Sequence, residues 1–134
     1  MSWCTTRLQC AMVSILLTMG CAHSANKAVV YTEEGLRAAE TTWDGYYRSE
    51  AERCESRYEP KTPEMEECFG STYDADAKVA EAVQSAVALL RTYWLARATG
   101  KDPDFAELMR EVQKIVDDLP PEAGQYFARV KGVP

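Results

Sequence analysis

Histidine is almost missing from this chain: of 134 residues only His23 is one, and it lies near the N-terminus. The remainder therefore lacks the usual base of a serine or cysteine nucleophile and the usual nitrogen ligand of zinc. Also absent are a glycine-rich phosphate loop, a GxSxG elbow, an HExxH helix and a calcium-loop pattern. Positive charge is scarce as well, with 15 Lys and Arg against 21 Asp and Glu, a net charge of −6 and a pI near 4.8. An acidic chain of this kind does not offer a nucleic-acid groove or a basic patch for anionic lipid, and its electrostatic match is a cationic partner. No long block of one sign occurs, as befits solvated helical faces. No stretch alternates with period two for long enough to read as a strand. Only one long apolar run exists, residues 8–19, "LQCAMVSILLTM". At about twelve residues it is short of the roughly twenty that a mature bilayer span needs, and it suits the apolar core of an export signal.

The residues that close this run carry more information. A short, mildly positive start with Arg7 precedes it, and it ends at Leu17-Thr18-Met19-Gly20-Cys21 before the polar "AHSANK". A small residue followed directly by cysteine resembles the lipobox of bacterial lipoproteins. Leu17, Thr18 and Met19 take its apolar or small positions, Gly20 stands before the cut and Cys21 after it; Thr18 holds the place where the usual box favours Leu. The resemblance implies removal of residues 1–20 as a signal peptide, diacylglyceryl transfer to the Cys21 thiol, and acylation of the new amino group with a palmitate-like chain. Several acyl chains hold a protein firmly where one holds it marginally. Residues 21–31 then form a lipidated tether and residues 32–134 the domain. In the lipoproteins of diderm bacteria, Ala22 rather than Asp after the cysteine favours the outer membrane, which would place this domain in the periplasm.

On that reading the five cysteines resolve. Cys4 and Cys10 leave with the signal peptide and Cys21 takes the lipid, so Cys54 and Cys68 remain. In an oxidising compartment such a pair is expected as a disulfide. Thirteen residues lie between them, with Pro60 and Pro63 near the middle, so the bridge would pin two helix ends across a turn. A redox-active pair would favour C-x-x-C spacing.

The domain reads as all-α, a small helical bundle of three main helices plus two short ones with one disulfide. Thr32 can cap a first helix, whose Leu36, Ala39, Trp43, Tyr47, Ala51, Cys54 and Tyr58 recur at steps of three or four until Pro60. A short helix follows with Thr62 as cap, Pro63 at its first position and Gly70 at its end. The third, over about residues 73–99, is capped by Ser71 or Thr72, carries a stripe through Val79, Val83, Ala86, Val87, Leu90, Trp94 and Ala98, and stops at Gly100. Asp102 and Pro103 start a fourth, with the face Phe105, Leu108, Met109, Val112, Ile115, Val116 and Leu119, which Pro120 and Pro121 break. A final short helix offers Tyr126, Phe127 and Val130. Short connections make neighbouring helices antiparallel.

Acids are so plentiful that carboxylate pairs for acid–base work can be assembled anywhere on paper, and helix-dipole and solvation roles explain most of them. No catalytic residue, metal ligand or cofactor is assigned, and the chain is read as a binding protein rather than an enzyme; a small envelope hydrolase using a carboxylate pair is the alternative. The aromatics Trp43, Tyr46, Tyr47, Tyr93 and Trp94 form the candidate contact patch for a partner, since neighbouring aromatics on one helix cannot all face a single stripe. The segment "TPEMEECFGSTYDADAKV" is similar to the cysteine-containing repeat of small exported lysozyme-inhibitor-like proteins. Glu64-Met65, Cys68, Tyr73 and Ala75-Asp76 echo that pattern, Cys54 supplies the upstream thiol, and the Leu-Asn that should follow is absent. This second resemblance implies an inhibitor of a cationic lysozyme; the broader expectation is an outer-membrane-anchored adaptor, assembly partner or inhibitor acting by protein binding. Its oligomeric state has no signature in the sequence.

Overall fold

The computed structural model describes residues 3–128, with side chains described from Ser24 onward. Its elements are α1 (Trp3–Arg57), α2 (Pro63–Ala98), α3 (Phe105–Asp117) and the short α4 (Pro121–Phe127), with no strand among the described residues. The all-α expectation holds, with four helices in place of five. The disulfide expected between Cys54 and Cys68 is present, with Cα atoms 5.9 Å apart.

Helices α1 and α2 form an antiparallel hairpin. Cys54 meets Cys68 close to the turn, and Trp43, farther back on α1, meets Asp76, farther on along α2. The turn between them holds Lys61 at φ 66°, a left-handed conformation that β-branched residues avoid. Thr62 then caps α2 as expected: its hydroxyl accepts from the backbone N–H of Met65 at 3.3 Å, with Pro63 at the first position. At the other end of α2 the helix stops at Gly100, whose φ of 78° suits glycine. There the Lys101 N–H reaches the Ala96 carbonyl at 2.9 Å and the Gly100 N–H reaches that of Arg97 at 3.1 Å, closing the last turn. Helix α3 doubles back along α2, Tyr93 meeting Phe105 beside the turn at 6.3 Å between ring centroids. Finally α4 returns to α1, where Tyr126 packs on Trp43 and Tyr46.

The core follows from helical periodicity. Val29, Leu36, Ala39 and Trp43 of α1 join Ala75, Val79, Val83, Ala86, Leu90 and Tyr93 of α2, Leu108, Val112 and Val116 of α3, and Ala123 and Phe127 of α4 in one buried cluster. Steps of three and four put each set on one side of its helix. Of the stripe expected for α3, Leu108, Val112 and Val116 are buried, Phe105, Ile115 and Leu119 pack at the margin, and Met109 is half-buried. Each fully buried Leu, Val or Phe contributes about 1.5–3 kcal/mol.

Several boundaries differ from the sequence reading. Residues 24–31, expected as tether, are helical, and Ala28 and Val29 are buried, so the core starts before residue 32. Thr32 is no cap: it is buried inside α1, and its hydroxyl donates to the Ala28 carbonyl at 2.7 Å. A threonine whose hydroxyl turns back on its own helix needs no other partner, which lets it sit in the core. Gly70 does not end a helix. The two helices expected on either side of it are the single α2, because the disulfide and the burial of Thr72 and Ala75 hold the chain through it. Asp104, not Asp102, caps α3, accepting from the Glu107 N–H at 3.0 Å, and Pro103 lies ahead of that cap. Val130 lies outside the described residues, as do the side chains of residues 1–20 and of Cys21.

Gly70 offers a direct check of the continuous α2. A Cβ added there would meet nothing within 4 Å. Gly70→Ala is expected to raise stability by about 0.5–1 kcal/mol, because alanine loses less backbone entropy in a helix interior. Urea unfolding measures this, and a loss of stability would count against a helix running through residue 70.

Candidate functional site

The aromatics singled out in the sequence do not form one patch. Trp43 is 1 % exposed. It packs on Tyr46 at 5.4 Å and on Tyr126 at 5.9 Å, and Tyr46 and Tyr126 meet at 5.7 Å. This triad joins α4 to α1 and is structural in its contacts. Tyr93 and Trp94 lie toward the opposite end of α2, with Tyr93 buried beside Phe105 and the Arg97 guanidinium 6.0 Å from the Tyr93 ring. Tyr47 belongs to a third group. It stacks on Phe69 at 5.6 Å, and Phe69 on Tyr73 at 6.1 Å. Tyr47 and Phe69 are half-buried, while Tyr73 is 58 % exposed. These three rings run across the hairpin just inside the disulfide and present apolar area to solvent.

Beside this strip lies a groove of about 370 Å³ between α1 and α2, lined by Glu40, Thr41, Trp43, Asp44, Asp76, Val79 and Ala80. The buried indole of Trp43 forms part of its floor. Burying a tryptophan requires an acceptor for its ring N–H, and here Nε1–H donates to Asp76 Oδ1 at 2.9 Å. The carboxylate that satisfies the core is thus also part of the groove wall. Asp44 pairs with Arg48 one turn on at 3.1 Å, both being more than half exposed. Such an exposed pair contributes little to stability. Glu40 and Asp76, one from each helix, make no ion pair among the described residues.

The groove and the strip are continuous. Asp44 and Tyr47 are one turn apart on α1, and Tyr73 and Asp76 one turn apart on α2. The Tyr47 phenol titrates above its ordinary 10.0, first because burial disfavours the phenolate and then because Asp76, Tyr73 and Asp44 oppose a new negative charge. Tyr46 is raised in the same way, by burial first and then by Glu50 and Glu122. Like any phenol, both are uncharged at neutral pH and have a hydroxyl to donate. Arg53 is held more firmly protonated by its hydrogen bond to Glu50.

Among the described residues no group of three His, Cys, Asp or Glu stands where it could hold a metal ion. Phe69, Glu40 and Asp44 were not singled out by the sequence, and Tyr73 and Asp76 entered only through the resemblance around Cys68, with no place in the candidate contact patch. The i, i+4 spacing of Phe69 and Tyr73 beside Cys68 was the available signal, since the bridge to Cys54 brings them to the α1 face that carries Tyr47. No known family, curated protein or solved structure matches the chain.

The two raised phenols predict an alkaline weakness. The unfolded chain ionises its tyrosines near 10.0, and the folded chain resists until higher pH. Their contribution to stability is therefore complete below pH 10 and is lost as pH climbs through the folded-state values. The thermal midpoint should fall above pH 10, and Tyr46→Phe with Tyr47→Phe should flatten that fall; an unchanged slope in the double variant refutes the assignment.

Proposed function

We propose that this chain is a lipid-anchored helical protein of the bacterial envelope, attached through Cys21 to the outer membrane and facing the periplasm, and that it acts by binding another protein. The observation that carries the binding reading is the strip of Tyr47, Phe69 and Tyr73, aromatic and solvent-facing on a hairpin held by a disulfide. Aromatic side chains on a rigid support present large contact area at low entropic cost, the character of interface anchors. The lipid anchor is supported by the Gly20-Cys21 junction after the apolar run. Among the described residues no helix is long and apolar enough to cross a membrane.

An adaptor, an assembly partner and an inhibitor all fit this reading, including inhibition of a cationic lysozyme on the strength of the segment around Cys68. A hydrolase using a carboxylate pair is the second reading, favoured by the three acids that line the groove.

Cys21→Ser in the full chain is expected to abolish labelling by a palmitate analogue and to leave unprocessed precursor; continued labelling would refute the lipobox. A photo-crosslinking residue in place of Tyr73 in intact envelopes should give a discrete adduct, while the same residue at Glu111 on α3 should not. Equal yields at the two positions, or none, would remove the strip as an interface.

A further inference from the structure

The acidic excess of the chain is concentrated. From Asp44 to Asp76 there are ten acids and four bases, so this stretch alone carries a charge equal to the net −6 of the whole chain. Two of those four bases, Arg48 and Arg53, are engaged with Asp44 and Glu50. At the groove, Glu40 and Asp76 make no ion pair among the described residues, and one oxygen of Asp76 is committed to Trp43. A purely apolar partner laid over this surface would strip water from two carboxylates and return nothing, which is costly. An ammonium or guanidinium group returns charge-assisted hydrogen bonds to the same oxygens. The aromatic strip favours the same partner, because ring faces attract cations and the methylene stems of Lys and Arg pack on them. The groove volume of about 370 Å³ is small for a ligand site and has room for one or two side chains of a docking segment.

We infer that this surface docks a basic segment of a protein partner, with one Lys or Arg side chain entering the groove between Glu40 and Asp76 while its neighbours lie across Tyr47, Phe69 and Tyr73. The inference rests on the protein-binding reading above and adds to it the chemistry of the partner. Opposite charge speeds encounter and sets orientation, and the rings supply the contact area that holds the complex.

Asp76→Asn keeps the acceptor oxygen for Trp43, so charge can be removed without leaving the indole N–H bare. The test uses the full chain in detergent micelles and two short peptides, one alternating Lys with Gly and one alternating Ser with Gly. The readout is the nuclear magnetic resonance signal of the Trp43 indole N–H together with the amides of Phe69 and Tyr73. The Lys peptide is expected to shift these signals in a salt-sensitive way and the Ser peptide to leave them in place. The Glu40→Gln/Asp76→Asn variant should bind the Lys peptide about fivefold more weakly. A matched variant, Glu107→Gln/Glu111→Gln on α3, should bind as the parent does. Equal weakening in both variants, or shifts spread over all acidic positions, overturns docking at this surface. A crosslink from position 73 that maps to a neutral or acidic segment of its partner overturns the basic-segment inference and leaves protein binding standing. Failure of both crosslink and peptide overturns the two together.

Discussion

The hydrogen bond from Trp43 Nε1 to Asp76 Oδ1 is the constraint on which the arrangement turns. Trp43 is the largest fully buried side chain among the described residues, and its N–H cannot be left bare in the core without cost. Satisfying it with a carboxylate on α2 fixes how far α1 can slide along its partner, since a shift of one residue would carry the acceptor out of reach. The disulfide fixes the same register nearer the turn. Between these two ties the hairpin has one arrangement, and α3 and α4 pack on the face it presents. The polar requirement of the core and the acidity of the groove are met by the same carboxylate, so only a replacement at Asp76 that keeps an acceptor oxygen separates the two.

The four helices divide the work unequally. The hairpin of α1 and α2 supplies the groove, the strip and the covalent bridge. Helices α3 and α4 supply the apolar residues that close the other side: Leu108, Val112, Val116, Ala123 and Phe127. Tyr126 stands where these roles meet, since its ring touches both Trp43 and Tyr46. The floor of the groove is therefore backed by a packed aromatic triad, and rigidity there comes from side-chain packing as well as from the bridge.

Much of the architecture was legible in the sequence where one segment decides the outcome. The period of three and four in α3, the Thr62-Pro63 start of α2 and the stop at Gly100 are local signals, and each has a local cause. The pairing of Cys54 with Cys68 was expected from the lipobox resemblance, which assigns Cys4, Cys10 and Cys21 elsewhere and leaves two thiols. What could not be read depends on other segments. Gly70 and Thr32 look like a stop and a cap in isolation, yet tertiary burial outweighs a local preference worth about 1 kcal/mol. The aromatic residues were visible, but their grouping was not, because it depends on the rotational phase between two helices. Glu40 and Asp76 are ordinary exposed-type acids in the sequence; only the register of the hairpin brings them to one groove.

Helix α1 continues without interruption upstream of Ala28, the first of its described side chains to be buried. On the anchored reading, Cys21 lies on the same rod as Tyr47, about 40 Å away along the axis. A helix transmits rotation, unlike a loose polar linker: each residue added or removed between Cys21 and Ala28 would turn everything beyond it by about 100° relative to the attachment point. The direction in which the hairpin looks out from the membrane would then be written as a residue count, in the way that spacing sets phase in any helical shaft.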